Sequence, residues 1–173
     1  MKQILFFLCL CVSVYAGTMR LSKDKASEMI GQREKFFTNA FLVPYDTERL
    51  SPDSGRKLAF IDLCKYRTKG YEFPCGERSG EEVGIRKYFI KAKSIEEAYK
   101  IFETKGQKLQ KNVNIYDYGG IESNKDDEVG SYYIWDNVGR FWVISMGYDG
   151  GSMTIFTQKS DMVEVIYQWS VDW

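Results

Sequence analysis

The sequence predicts an α+β fold in which helices pack on an antiparallel sheet. Between residues 132 and 169, runs of β-branched and aromatic residues alternate with glycine-containing turns, which is typical of an antiparallel meander. Residues 94–105 have apolar positions at helical spacing, with a capping pattern before them and a glycine after them. A further helical pattern precedes residue 40. We therefore predict an antiparallel sheet with a C-terminal meander, a packed helix near 94–105 and an N-terminal helix.

The first 16 residues have the pattern of a secretory signal peptide. Lys2 precedes an apolar run over residues 4–14, and the small residue Ala16 stands where a cleavage site is expected. The run is too short to span a bilayer, because a spanning helix needs about 20 apolar residues. We expect a mature single domain of residues 17–173, without a membrane span after cleavage, in the periplasm or secreted.

The size and charge of the mature chain narrow the classes of partner. Removing 16 residues from 173 leaves 157, which suits one domain with its own core. Removing Lys2 leaves 23 basic side chains of the original 24, against 24 acidic ones. Because nucleic acids and anionic lipids attract a basic face, this balance predicts no nucleic-acid partner.

Two cysteines of the mature chain are predicted to form a disulfide. Cys9 and Cys11 belong to the predicted signal, so Cys64 and Cys75 remain, and a lone pair in an exported protein is typically bridged. Closing so short a loop is expected to stabilise the fold by about 2 to 3 kcal/mol. The alternative is a reactive thiol, which would lack a histidine base because the sequence has no histidine.

The absence of histidine excludes the commonest catalytic arrangements. Ser-His-Asp and Cys-His sites cannot form, and the commonest zinc ligand is missing. Paired carboxylates could still hydrolyse glycosides, but the sequence singles out no pair. Asn124, Asp126 and Glu128 alternate as calcium ligands do, yet the offsets of a calcium-binding hand are absent. We predict no enzymatic activity, no cofactor, no metal and a solvated loop over residues 122–128.

The N-terminal half is predicted to contain one helix and two strands. Apolar residues recur at helical spacing from about Lys23 to Phe37, and Ser22 precedes them as a cap. Residues 40–56 contain two prolines and many polar residues, which predicts a loop. Residues 58–64 are apolar on both parities, which predicts a strand buried on both faces, and a second strand is predicted at 84–92.

Asp62 interrupts the apolar pattern of the first of these strands. A carboxylate there can accept hydrogen bonds from nearby backbone N–H groups. We expect it to cap a neighbouring backbone group or to lie at a sheet edge, in preference to a catalytic role.

The clearest helical signal begins at Ser94. Glu97 stands three residues later and completes a capping box, and Gly106 supplies the C-terminal stop. One stripe is apolar and should pack on the sheet: Ile95, Ala98, Tyr99 and Phe102. Beyond this helix, alternation over residues 109–115 predicts a further strand.

The segment 132–145 forms a predicted hairpin that is apolar on both faces. Its turn is Asn137-Val138-Gly139, with Gly139 in the left-handed conformation. Four pairs follow from this turn: Trp135 with Phe141, Tyr133 with Val143, Ile134 with Trp142, and Tyr132 with Ile144. Such a hairpin belongs inside a covered sheet. One helix shields one face, and the other face requires the N-terminal helix, the 40–56 segment or a partner.

Aromatic residues of the hairpin and of the C-terminal strand are the candidate binding residues. An apolar face left open on a monomer commonly marks an interaction site. The candidates are Tyr133, Trp135, Tyr167, Trp169 and Trp173. Trp142, within the run "FWVI", is instead predicted to lie in the core.

Residues 94–166 resemble a known envelope-protein region. The segments "SIEEAYKIFETKGQKL", "YYI", "FWVIS" and "GGSMTIFTQKSDMVEV" are similar to the periplasmic region that precedes the peptidoglycan-binding domain in some OmpA-type bacterial envelope proteins. Two features differ: the 173 residues do not include a peptidoglycan-binding domain, and Thr157-Gln158 replaces a hydrophobic-acidic pair. The resemblance implies an envelope location and a non-enzymatic role, with no functional residue transferred.

The sequence therefore predicts an exported, non-enzymatic binding or envelope-assembly protein with a protein partner in the envelope. The alternative is a secreted or periplasmic inhibitor or immunity protein against a toxic or wall-degrading enzyme, which would present a protruding loop such as 117–128 or 147–151. A carboxylate-based hydrolase is the third hypothesis and would require a concave cleft with converging acids.

Export can be tested directly on the mature protein. Because cleavage is expected after Ala16, mass spectrometry of the protein recovered from secreting cells should find Gly17 at the N-terminus. A full-length chain recovered from the membrane fraction would contradict the signal prediction.

Overall fold

A computed structural model describes residues 19–20, 22–66, 70–71, 73, 75–78, 81–103, 121–126, 129–147 and 150–172. The predicted signal peptide, the predicted strand at 109–115 and the candidate Trp173 lie outside these residues. Within them, neither of the two α-helices is long and apolar enough to cross a membrane.

The described residues form an α+β structure with ten strands and two α-helices. The strands are β1 (Met19–Arg20), β2 (Ser51–Asp53), β3 (Leu58–Asp62), β4 (Gly76–Arg78), β5 (Glu81–Ile90), β6 (Ile121–Asp126), β7 (Val129–Trp135), β8 (Phe141–Gly147), β9 (Gly150–Lys159) and β10 (Met162–Asp172). The helices are α1 (Lys23–Leu42) and α2 (Ile95–Phe102), with short 3₁₀ turns at Thr47–Arg49 and Leu63–Lys65.

All the strands join one antiparallel sheet. Its order is β1-β6-β7-β8-β9-β10-β5-β3-β2, and β4 pairs with part of β5. Strands β6 to β10 follow one another as a meander, which confirms the predicted C-terminal arrangement. The last strand then pairs along ten residues with β5, which comes from the N-terminal half of the chain.

The β7–β8 hairpin has the predicted turn and the predicted register. Trp135 pairs with Phe141 and Ile134 with Trp142, and Gly139 has a φ of 79°. The Asp136 carboxylate accepts hydrogen bonds from the backbone N–H groups of Val138 and Arg140, at 3.0 and 2.8 Å. Asp136 also accepts a hydrogen bond from the Trp142 indole N–H at 2.9 Å, so this carboxylate links the turn to the core.

The two faces of the sheet are covered by different helices. On the face that we call the α2 face, the apolar stripe of α2 packs against strand residues such as Val165 and Phe156. On the opposite α1 face, helix α1 packs against residues such as Ile166 and Trp142. Trp142 is fully buried, with its ring edge-on to Phe37, as predicted for a core residue. The N-terminal helix thus supplies the second cover that the two-sided hairpin requires.

A buried lysine fixes the C-terminal end of α1 on the sheet. The Lys87 ammonium group on β5 lies 3.2, 3.3 and 2.6 Å from the carbonyl oxygens of Ala40, Phe41 and Val43. It also lies 3.0 Å from the Glu164 carboxylate of β10. Helix ends leave carbonyl groups unpaired and carry partial negative charge, so a cation there is doubly favourable. Burial lowers the pKa of Lys87, and Glu164 opposes that shift.

Three segments differ from their predicted structure. The strand predicted over 58–64 ends at Asp62, and Leu63–Lys65 forms a 3₁₀ turn because the Asp62 carboxylate accepts from the Cys64 N–H. The predicted loop at 40–56 contains the end of α1, a 3₁₀ turn and the edge strand β2, whose Pro52 is exposed as expected for proline on a sheet edge. The predicted loop at 122–128 is largely occupied by β6, which pairs with β7. The two predicted loops are polar, and strand pairing rather than side-chain pattern determines the conformation of β2 and β6.

The predicted disulfide between Cys64 and Cys75 is present and closes the segment that follows β3. Asp62 caps that segment, as expected, because its carboxylate accepts a hydrogen bond from the Cys64 N–H at 3.1 Å. Its second oxygen forms an ion pair with Lys65 at 3.1 Å. Asp62 is thus committed to local structure.

Replacement of Lys87 by methionine should destabilise the protein strongly. Lys87→Met leaves Glu164 unpaired and the last carbonyls of α1 without their donor, and removal of one partner of a buried pair costs about 3 to 5 kcal/mol. Urea unfolding measures the change in the free energy of unfolding.

The exposed Lys91, just beyond β5, provides the matched control, and Lys91→Met should change stability little. A double variant with Glu164→Met should recover only part of the loss, because the helix carbonyls stay uncapped. An unchanged free energy of unfolding in Lys87→Met would contradict this role.

Candidate functional site

Two of the predicted binding residues, Tyr167 and Trp169, lie side by side on the α2 face of β10. Alternation along a strand puts them on the face of Val163 and Val165, where the Tyr167 ring also contacts Phe102 at the end of α2. Their rings are stacked, with centroids 5.5 Å apart and planes at 21°. Both are half-buried. They are therefore held by packing and still retain accessible surface.

A glycine on the neighbouring strand provides the space for Trp169. Gly84 of β5 pairs directly with Trp169. A Cβ added at Gly84 would lie 2.0 Å from the Cζ2 atom of the indole, far inside contact distance. Trp169 therefore lies across the backbone of β5, and Gly84 determines where its ring can be.

Arg86 extends from β5 between two aromatic rings. Its guanidinium carbon lies 4.4 Å from the ring centroid of Phe60 and 4.8 Å from that of Trp169. Phe60 is on β3 and Trp169 on β10, the strands on either side of β5. Such cation–π contacts stabilise by about 0.5 to 2 kcal/mol, more as the cation is desolvated.

A second arginine extends the array. Arg56, in the turn between β2 and β3, lies with its guanidinium carbon 4.5 Å from the ring of Phe102 and 4.9 Å from that of Tyr167. Each guanidinium group on the α2 face therefore contacts at least two rings, and the stacked pair of Tyr167 and Trp169 connects them. We call this array the guanidinium–aromatic ladder, and its members are Phe60, Arg86, Trp169, Tyr167, Arg56 and Phe102.

The Arg56 end of the ladder is electrically balanced. The Asp53 carboxylate lies 3.4 Å from the Arg56 guanidinium and accepts a hydrogen bond from the Tyr88 hydroxyl at 2.9 Å. Burial alone would raise the pKa of Asp53, but hydrogen bonds from Tyr88 and from backbone N–H groups, with the Arg56 charge, hold that pKa below its usual value. Burial also opposes the charge of Arg56, yet the neighbouring Tyr88, Tyr167 and Asp53 raise its pKa.

Two further groups near Arg56 are tuned by burial. Burial raises the pKa of Tyr88 to about 12, although a hydrogen bond with Arg86 opposes the shift. Burial likewise raises the pKa of the Glu103 carboxyl at the end of α2, and the Arg56 charge opposes it. Raised pKa values of this kind are expected for tyrosine and carboxyl groups that are partly removed from water.

The Arg86 end of the ladder, unlike the Arg56 end, has no paired carboxylate among the described residues. No described carboxylate lies within ion-pairing distance of the Arg86 guanidinium, although Asp62 stands opposite it in the register. Arg86 interacts instead with the two ring faces and the Tyr88 hydroxyl. A cation of this kind can bind an anionic group from another molecule.

The two candidates on the β7–β8 hairpin are not part of the ladder. Tyr133 is buried in the core and stacks on Phe141. Trp135 is half-buried, with its ring 5.1 Å from that of Phe141, and it borders a groove of about 440 Å³ against α1. The structure thus brings together Tyr167 and Trp169 and leaves the hairpin pair in a different place.

The arginines and the glycine of the site were not predicted from the sequence. One signal was present for Arg86, because in "GIRKYFI" it shares a parity with the buried Tyr88 and Ile90. A charged residue on an apolar parity deserves a functional test. No comparable signal exists for Arg56, which lies in a turn, or for Gly84, whose role depends on a strand 85 positions later in the register.

The described side chains offer no obvious metal centre. No group of three or more His, Cys, Asp or Glu residues converges among them. The ladder itself consists of cations and rings, which do not ligate metal cations. Its chemistry is that of recognition through charge, hydrogen bonds and aromatic surface.

Adding a methyl group at Gly84 should displace Trp169. In Gly84→Ala the new Cβ would overlap the indole, so the ring must leave its stack with Tyr167, and overpacking of this kind costs about 1 to 3 kcal/mol. The indole N–H signals in a ¹H–¹⁵N NMR spectrum report the displacement.

Gly31 of α1 offers the control, because a Cβ there meets no atom within 4 Å. Gly31→Ala should leave the indole signals in place and stabilise the helix by about 0.5 to 1 kcal/mol. An unshifted Trp169 indole signal in Gly84→Ala would contradict the close packing of the indole on Gly84.

Comparisons with known proteins add no family assignment. Family models, curated proteins and solved structures were compared with the chain, and none of them matches. The resemblance of residues 94–166 to an OmpA-type periplasmic region therefore stays a prediction. Function has to be argued from the geometry of the site.

Proposed function

We propose that this chain is an exported, non-enzymatic binding protein that recognises a protein partner of the cell envelope through the guanidinium–aromatic ladder. The observation that carries the proposal is the half-buried stack of Arg86, Trp169 and Tyr167 on the α2 face. The envelope location rests on the signal pattern and the predicted resemblance. The Cys64–Cys75 disulfide is compatible with an oxidising compartment.

The composition of the ladder supports a binding role. Tryptophan, tyrosine and arginine are the residues that most often dominate the energy of protein interfaces. Each combines a large contact area with hydrogen-bonding groups, and aromatic rings lose little conformational entropy when a partner binds. The ladder concentrates all three residue types on adjacent strands.

The scaffold supports the same role, because it fixes the ladder before any partner arrives. Trp169 packs on Gly84, and Arg86 lies between rings from the two flanking strands. Strands β5 and β10 lie inside the sheet and pair along ten residues. Sites on such elements are held more precisely than sites on loops, which lowers the entropic cost of binding.

Site-specific photo-crosslinking tests this proposal. With benzoylphenylalanine in place of Trp169, irradiation of exporting cells should give one dominant crosslinked protein, identified by mass spectrometry. Trp169→Ala should weaken affinity for that purified protein by about 2 kcal/mol or more, as expected for a central aromatic contact.

Tyr45 provides the matched control, because it is an exposed aromatic residue that contacts Phe89 on the α1 face. Crosslinks that appear equally from positions 45 and 169 would indicate random contact. No crosslink from position 169, with normal export of the variant, would refute the ladder as the binding surface.

A further inference from the structure

We infer that the ladder recognises an oxyanion, a carboxylate or a phosphate, at the N–H edge of Arg86. This inference rests on the proposed binding role of the ladder and adds the chemistry of its ligand. It predicts which of the two arginines makes the contact and which part of its side chain is used.

The two arginines differ in whether a carboxylate lies close to the guanidinium group. Arg56 has a carboxylate partner, because the Asp53 carboxylate lies 3.4 Å from the Arg56 guanidinium group. The carboxylate opposite Arg86 belongs to Asp62, which is occupied by the Cys64 N–H and the Lys65 ammonium group. Within the described part of the chain, Arg86 is thus a half-buried cation with no carboxylate in ion-pairing distance. An incoming anion would supply the missing charge.

The rings determine how that anion can approach. Phe60 and Trp169 flank the Arg86 guanidinium from the two neighbouring strands. The N–H groups of a guanidinium point outward in its plane, so flanking rings do not block them. The Tyr88 hydroxyl occupies part of that edge, and the other N–H groups can donate to an anion. A planar fork of donors fits the two oxygens of a carboxylate or phosphate. Partial burial strengthens the pair relative to one in water.

A row of hydroxyl groups continues from Trp169 on the side away from β5, so its nearest member is two strands from the arginine. Ser131, Ser145 and Ser152 occupy adjacent strands in register with Trp169, and the hydroxyls of Ser131 and Ser145 are 3.1 Å apart. This row is one step, about 7 Å, from the row of Arg86 along the strands. A ligand that extends from a charged oxyanion into polar groups would meet both rows.

Three probes test the inference on the mature protein. Acetate, inorganic phosphate and hexaglutamate are titrated while the Trp169 indole N–H and the Arg86 Nε–H are followed by ¹H–¹⁵N NMR. Sodium chloride at matched ionic strength corrects for screening. Trp169→Phe assigns the indole signal. We expect saturable shifts of both signals with the oxyanions and not with chloride.

Two arginine variants locate the contact. Arg86→Gln should weaken the oxyanion response at least about tenfold, since it removes a charge-assisted hydrogen-bond donor. Arg86→Lys keeps the charge but not the planar fork, so an intermediate loss is expected, and it serves if the glutamine variant does not fold. Arg49→Gln is the control, because Arg49 also lies over a ring, that of Tyr66, but is paired with Asp46.

Some outcomes identify the source of the anion, and others decide whether the inference holds. Tighter binding of hexaglutamate than of acetate at equal carboxylate concentration would point to an acidic protein segment. Selective binding of phosphate would point to a phosphorylated ligand. Shifts no larger than those with chloride, or shifts retained in Arg86→Gln, would overturn the inference. The proposed function would stand in that case if the Trp169 crosslink is still observed.

Discussion

One ammonium group, that of Lys87, determines how the two halves of the structure fit together. It lies on an interior strand of the sheet and bonds the carbonyls that end α1, while Glu164 balances its charge from the next strand. A charge buried in this way is tolerated only where acceptors surround it. The helix can therefore end at only one place on the sheet. That contact lies on the α1 face, whereas the ladder lies on the opposite face.

The pattern of apolar residues was sufficient to predict the local structure. The hairpin register, the left-handed Gly139, the disulfide and the capped helix α2 all follow from residues close together in the chain. These features depend on alternation, helical spacing and turn chemistry, which short segments contain in full. The polar strands β2 and β6 were missed because they carry no such pattern and become strands through their partners.

The site could be predicted only in part, because it is assembled from distant segments. Alternation in β10 indicated Tyr167 and Trp169 as a pair. Their neighbours Arg86 and Gly84 join them only because β5 pairs with β10, and no local signal specifies that pairing. The same holds for Lys87, whose carbonyl partners lie more than 40 positions earlier in the chain. A lysine in a strand sequence does not show whether it meets solvent or a helix end.

The alternation of β10 has a consequence for how such a protein can diversify. Ile166 and Gln168 face α1, whereas Tyr167 and Trp169 face the ladder, so successive residues of one strand serve separate surfaces. Selection can exchange residues of the ladder without disturbing the packing beneath α1, since the two sets share a backbone but not a face. Register keeps any replacement in the same position. The sheet therefore separates two kinds of position: changes at the half-buried Tyr167 and Trp169 leave the α1 face as it is, whereas the buried Phe60 and Phe102 remain fixed by the core.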